Sequence, residues 1–286
     1  MKTLLYVISM TISFFLCQNL YSQNYPKENV RLENDIWFGL NAQISLKSKN
    51  DLAIDSDSTL FYPSFGTKNI FLIQVLGQHS TMEMTDVDYF YQKSVYISYE
   101  RLLSQKWIGG ASFRYCELNV NKTTLRGHLR HYSSIKKIDL AFWQQVAIER
   151  ILSNNSFYDP VSRLRFQFAA NKYFSISKNN SQKKLIGTLS FELFKEIQKI
   201  HPNSERRFFQ EQRIQTEWFF PIHKNIYLGA FAGLHTKQFI ALAQFGMNGE
   251  ELKPTRNLNQ QTPVFGINAI LTLGKNNTPN RRLWIE

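Results

Sequence analysis

His131 and Ser133 are the residues whose types and spacing come nearest to catalysis. One residue apart on an extended chain, they share a strand face, which brings an imidazole within reach of a hydroxyl as base and nucleophile. The spacing supplies no acid to orient the histidine. The 6 histidines form no metal pattern, because His128 and His131, three apart, fall on opposite faces of a strand. There is no glycine-rich phosphate loop and no nucleophile elbow. Of the two cysteines, Cys17 lies in an N-terminal apolar run and Cys116 stands alone. That excludes an intramolecular disulfide framework and a cysteine metal cluster. No cofactor and no metal is expected.

The other chemistry-bearing residues are charges set at every second position of apolar runs: Glu100, Arg114, Arg126, Arg130, Asp139, Glu149, Arg163, Arg165, Glu192, Glu211, Arg213 and Glu217. Strict alternation means strands, since successive side chains point to opposite faces. In 94–118, Val95, Ile97 and Tyr99 oppose Ser94, Ser98 and Glu100, then a polar turn precedes Phe113 and Tyr115 against Ser112, Arg114 and Cys116. The cleanest run sets Ile36, Phe38, Leu40, Ala42, Ile44 and Leu46 against Trp37, Gly39, Asn41, Gln43, Ser45 and Lys47. Further runs follow at 68–78, 125–133, 138–149, 163–171, 185–193, 211–218, 227–238 and 263–273, with a weak one at 52–62 crowded by aspartates. These predict about twelve strands, with ten as the alternative, separated by turns and by longer polar loops such as 246–261. No amphipathic helix is predicted.

The first 22 residues read as a secretory signal: Lys2, an apolar stretch over 4–17, then Leu20-Tyr21-Ser22 before a polar chain opening at Gln23. The run is short of the roughly 20 residues that a spanning helix needs. Residues 23–34 read as a periplasmic leader, 35–274 as the barrel and 275–286 as a polar tail. The net charge of +12 would suggest nucleic acid in a cytoplasmic protein. Behind an export signal no nucleic acid is expected, and the anions at hand are lipid phosphate and lipopolysaccharide.

A soluble sheet can also alternate. Repetition over nearly the whole chain, with no helix to cover a sheet, favours a transmembrane antiparallel up-and-down β-barrel of the bacterial outer membrane, broadly porin-like in architecture. Aromatics near the strand ends, Tyr99, Trp107, Tyr115, Trp218, Phe219, Phe220 and Tyr227, are expected to form its interfacial girdles. The charged list then lines the lumen, either paired into a packed interior or solvated in a narrow pore. The count of twelve lies between filled eight-strand barrels and open 16-strand porins and favours the packed case. Short connections after the even-numbered strands place the 104–106 turn in the periplasm.

Two resemblances bear on function. The Trp37 strand, the Tyr99-Glu100-Arg101…Lys106-Trp107…Gly109-Gly110 hairpin, the Arg126…Arg130-His131-Tyr132 strand and Arg163-Leu164-Arg165-Phe166 resemble a family of uncharacterised outer-membrane β-barrels of Gram-negative bacteria. That implies an outer-membrane barrel and no activity. His131-Tyr132-Ser133 resembles the His-x-Ser element of outer-membrane lipid A deacylases and phospholipases, with Ser134 and Ile135 where those families carry Asn and a small residue. Three readings follow: a non-enzymatic barrel serving as a narrow channel or as a structural or surface protein; a barrel lipid hydrolase using His131 and Ser133; and a soluble periplasmic β-sandwich or lipocalin-like binder. The first is preferred. N-terminal sequencing of the exported protein is expected to begin at Gln23, and a start at Met1 would overturn the signal reading.

Overall fold

The computed structural model describes residues 27–31, 34–46, 69–80, 92–104, 106–117, 121–135, 138, 140–154, 160–175, 184–197, 209–223, 225–241 and 243–273. The proposed signal, the weak strand at 52–62, Asp139 and the tail at 275–286 lie outside them. The described chain is all β: β1 (Lys27–Arg31), β2 (Asp35–Leu46), β3 (Asn69–Ser80), β4 (Gln92–Leu102), β5 (Trp107–Glu117), β6 (Lys122–Ile135), β7 (Leu140–Ser153), β8 (Val161–Ser175), β9 (Lys184–Glu196), β10 (Glu211–His223), β11 (Ile226–Ala241), β12 (Gln244–Phe245), β13 (Glu251–Lys253) and β14 (Arg256–Leu273). Each ring strand pairs antiparallel with the next, from β2 through β11 to β14, and β14 then closes on β2. This is an up-and-down barrel of eleven strands.

An odd ring has a geometric consequence. Antiparallel neighbours alternate in direction, so eleven strands leave one parallel pair. That pair is β14–β2, running in step from Val264 opposite Asp35 to Leu273 opposite Ile44. The even count expected from the sequence would have closed antiparallel. β1 falls within the expected leader, yet it lies parallel to β14 in the line of β2, from Lys27 opposite Asn257 to Arg31 opposite Gln261. Chain entry therefore sits at the end of the barrel where β2 starts, the upper end. The end of β4, the start of β5 and the exit of β14 sit at the lower end.

The strands are staggered. Following paired residues around the ring from Ser45 leads through Ile70, Glu100, Gly110, His128, Ala147, Arg165, Phe194, Glu211, Lys237 and Gln260 to Val30. The path rejoins its own line about fifteen residues before it began, one of them taken up by the register change between β1 and β2. Such a shear goes with strands tilted by roughly 40–45°.

Because the sheet closes on itself, alternation becomes inside and outside. In β4, Gln92, Ser94, Tyr96, Ser98 and Glu100 are buried while Lys93, Val95, Ile97, Tyr99 and Arg101 are exposed. The same parity runs around the ring. Leu40 is 65% exposed, Ile148 57% and Leu189 56%, whereas Glu149 and Arg165 are 1% exposed and Glu217 0%. Two apolar clusters close the interior at the lower end. One joins Ile70, Ile108, Tyr132, Trp143 and Ala169, with Leu102 packed against it. The other joins Ile186, Phe219, Tyr227 and Ile270. Every ring strand except β2 contributes a residue to one of them.

Two expectations are corrected. Phe219 and Tyr227 are not girdle residues: their parity turns them inward, where they pack in the second cluster. The long polar loop at 246–261 is shorter than expected. β13 within it pairs with β12 just before it as a small hairpin, with Gly249 at φ 77° in the turn, a backbone state glycine adopts without a Cβ penalty. β14 then begins at Arg256, because Asn257, Asn259 and Gln261, polar as they are, pair with Ile240, Gln238 and Thr236 of β11.

Gly266 lies beside the parallel seam. A Cβ there would sit 2.5 Å from the Trp37 carbonyl oxygen and would overlap the Phe231 ring, whereas one on outward-facing Gly127 would meet only Ile148, at 4.0 Å. Gly266→Val is expected to destabilise the refolded barrel by about 1–3 kcal/mol and Gly127→Ala to be tolerated. Urea unfolding midpoints of the two variants check this, and equal midpoints would contradict the close packing at the seam.

Candidate functional site

Burial of charge decides how this interior is built. An ion removed from water is costly unless a counter-ion and hydrogen bonds replace the water. β4 to β10 supply most of these charges, and they form linked groups rather than isolated pairs. Low down, Glu100 receives His128 Nε2 at 2.9 Å and Arg130 Nη2 at 3.1 Å. A carboxylate only accepts, so His128 donates through that nitrogen. Arg130 also donates to Gln145 Oε1 at 2.7 and 2.9 Å and to the Tyr132 hydroxyl at 3.0 Å, and lies 4.9 Å from the Trp143 ring centre. Its guanidinium thus bridges the lower apolar cluster and the charged interior.

Above it, three glutamates organise the arginines. Glu149 is 2.5 Å from Arg126 Nε, 2.5 Å from Arg163 Nε and 3.4 Å from Arg165 Nη1. Glu192 holds Arg165 Nη2 at 2.7 Å and Arg213 Nη1 at 3.7 Å, and accepts from Gln167 Nε2 at 2.5 Å. Glu211 meets His235 Nε2 at 2.7 Å, Arg213 Nη2 at 3.1 Å and Arg163 Nη1 at 3.4 Å. Phe194 stands among them, with the guanidinium carbons of Arg163, Arg165 and Arg213 at 4.6, 4.9 and 5.1 Å from its ring centre, within cation–π range. Arg114 Nη2 donates to Ser94 Oγ at 3.3 Å, and Asn268 Nδ2 to Glu217 Oε1 at 2.9 Å. Among the described residues no lysine is buried inside the ring. The planar guanidinium can fork between two carboxylates and stack on a ring, which a point-charge ammonium cannot do.

The opposite wall is mostly neutral. Asn41, Gln43 and Ser45 on β2, Gln74 and Gln78 on β3, and Asn268 and Thr272 on β14 are buried amides and hydroxyls, with Asp35, which accepts from Gln78 at 2.7 Å, the one carboxylate among the described residues at its upper edge. Trp37 Nε1, Asn41 Nδ2 and both polar atoms of Gln74 have no hydrogen-bond partner among the described residues. At the upper end the same wall carries the apolar cluster of Trp37, Leu76, Phe231 and Val264.

Of the charged residues singled out from the sequence, Glu100, Arg114, Arg126, Arg130, Glu149, Arg165, Glu192, Arg213 and Glu217 are buried inside the ring, and Arg163 and Glu211 are half-buried near its upper end. The structure joins most of them into the groups above. Parity could not show that His128 and His235 would complete two carboxylate sites, because it assigns a side chain to a face and not to a partner on another strand. Nor could it show that Phe194 would collect three guanidiniums. The lower apolar clusters were legible in principle: Ile108, Tyr132, Trp143, Ile186 and Phe219 all break the polar face of their strands close to a lower-end turn.

The catalytic candidates fall elsewhere. His131 and Ser133 lie on the outer face near the lower end, half-buried. His131 packs on Trp107, ring centres 4.7 Å apart at 53°, and no hydrogen bond joins it to Ser133. Their neighbours across the sheet are Trp107, Gln144 and Phe142, none of which is an acid. The described residues contain no group of three or more side chains able to hold a metal ion. No family model and no curated protein matches the chain.

Glu149→Gln would leave three buried arginines around a neutral amide. It is expected to cost about 3–5 kcal/mol, read as a lower urea midpoint, while Glu250→Gln on the exposed hairpin leaves the midpoint unmoved. Equal midpoints would show that the buried network contributes little.

Proposed function

We propose that this protein is a bacterial outer-membrane β-barrel with a closed interior, acting as a structural or surface protein rather than an open channel. The observation that carries the reading is the inversion of an ordinary globular surface: apolar side chains outside, charges inside. Soluble monomers rarely expose continuous apolar patches larger than a few hundred Å², and here the apolar face runs around the whole ring. Among the described residues, outward charges are confined to its two edges: Lys93, Glu117, Arg150 and Lys195 above, Arg101 and Lys172 below. Exposed rings near the lower edge, Tyr99, Trp107, Phe174, Trp218 and Phe220, suit a membrane interface. Closure of the sheet leaves no unpaired edge for hydrocarbon to meet.

The closed interior is supported by the lower apolar clusters and by the tightly buried ionic groups above them. The basic edges suit lipid phosphates and lipopolysaccharide. Export by a cleaved signal, and kinship with the uncharacterised outer-membrane family resembled in sequence, belong to the same proposal. The lipid hydrolase reading draws less support, since His131 packs on Trp107 instead of bonding Ser133.

Fractionation and electrophoresis test the proposal. The protein should partition with outer membranes and show a heat-dependent gel shift. Refolded protein should give no steady conductance in planar bilayers, and tags on the two chain ends should label from opposite sides. Recovery as a soluble species without a gel shift would overturn the membrane reading, and a steady single-channel current the closed interior.

A further inference from the structure

The two mouths of the barrel differ in charge. Among the described residues the outer face of the lower edge carries Arg101, Lys106 and Lys172 and no acid. In sequence, each stretch that links strands at this end from β4–β5 round to β10–β11 holds lysine: Lys106, then Lys136 and Lys137, then Lys178 and Lys183, then Lys224. Asp139 is the one acid in those four links. The upper links mix signs. Glu83, Asp86 and Asp88 follow β3 with no base among 81–91, and Glu250 and Glu251 offset Lys253 and Arg256. Over edges and links, with the tail that leaves β14, bases outnumber acids about three to one at the lower end and balance them at the upper. The inward ions pair among themselves, so nearly all of the net positive charge belongs to one mouth.

We propose that the lower edge is a collar for the phosphodiesters of anionic phospholipids. The inference rests on the membrane reading, and it names the lipid and the mouth that this reading leaves open. The bases follow the ring instead of gathering on one side, and a lipid leaflet is the partner that meets a barrel all the way round. They share their level with the exposed rings of Tyr99, Trp107, Phe174, Trp218 and Phe220. Apolar residues are exposed beside them too: Leu103 is 59% exposed, Ile138 48% and Ile222 61%. A soluble polyanion would leave those side chains in water, whereas a headgroup layer takes both the apolar stem of a lysine and its ammonium. Lys172 has this form, with its ammonium donating to the Ile138 carbonyl at the edge. Lysine, a point charge without the bidentate fork of arginine, is spread one or two to a link. That spacing suits singly charged headgroups side by side more than one multiply phosphorylated lipid.

The test uses the full mature chain refolded into phosphatidylcholine vesicles, with trace spin-labelled phosphatidylglycerol or phosphatidylcholine as probe. Electron spin resonance reads the fraction of each label held at the protein surface. Phosphatidylglycerol should be held about fivefold more strongly than phosphatidylcholine, the factor for one base near a lipid surface. The preference should fade between about 0.01 M and about 1 M salt as charges are screened. Arg101→Gln, Lys106→Gln and Lys184→Gln together should lower it by about twofold or more. Lys93→Gln, Arg150→Gln and Lys195→Gln together, at the upper edge, should leave it unchanged. Inserted wild-type protein, identified by its heat-dependent gel shift, that holds both labels equally would overturn the collar alone. So would a preference lost with the upper variant and kept with the lower, or displacement of the label by lipopolysaccharide more readily than by unlabelled phosphatidylglycerol. Protein that neither floats with the vesicles nor shows the gel shift would overturn the membrane reading and the collar with it.

Discussion

A sheet that turns its apolar face outward must satisfy its charges from within. That constraint shapes this molecule more than any single contact. Each strand from β4 to β10 delivers at least one inward ion, and none of the buried carboxylates is served by one arginine alone where several converge. Glu149 touches arginines of β6 and β8, and Glu211 reaches β8, its own strand and β11. These groups tie strands that are not hydrogen-bonded neighbours. They brace the barrel across its interior, as a packed core does in a soluble domain. Replacing such a network by well-fitted apolar residues is often neutral or stabilising in other proteins. What the ions supply here is direction: each guanidinium has one geometry that satisfies its partners, and the strand register is fixed with it.

The interior is also zoned. Apolar residues fill the lower end and one patch of the upper wall, ions occupy most of one wall, and amides line the strands flanking the seam. Below Asp35, the buried polar atoms of β2, β3 and β14 belong to neutral Asn, Gln, Ser and Thr. The seam itself is parallel, with slanted and slightly less stable pairing than the antiparallel ladders around it. Neutral groups there spare that joint the strong fields found opposite. β1 lengthens it by pairing with the upper part of β14.

Alternation made most of the fold legible. Ile36 to Leu46, Val95 to Tyr99 and Ile214 to Trp218 announced their outer faces by parity alone, because nothing but a two-residue period puts six apolar side chains at every second position. Strand number was harder. Parity is local, whereas closure depends on register summed over the whole ring, and the crowded stretch at 52–62 carries no register signal. Strand ends were blurred for a related reason: Asn257 to Gln261 look like loop residues, yet their backbones extend β14 by pairing with β11. The charged residues could be assigned to a face, but partners two strands apart, such as Glu100 with Arg130, follow from barrel curvature that no linear pattern records.

The odd ring constrains how such a barrel can change. Duplicating or deleting a hairpin adds or removes two strands and leaves both chain ends where they were. No series of such steps converts an even barrel into this one. The conversion needs a single strand gained or lost, and that event carries one terminus from one mouth of the barrel to the other. A segment fused to that terminus would move to the other mouth without altering a residue of its own. Rejoining the present ends into a circular permutant would require a linker as long as the barrel is tall. The parallel seam thus marks lineages separated by a topological step rather than by gradual substitution.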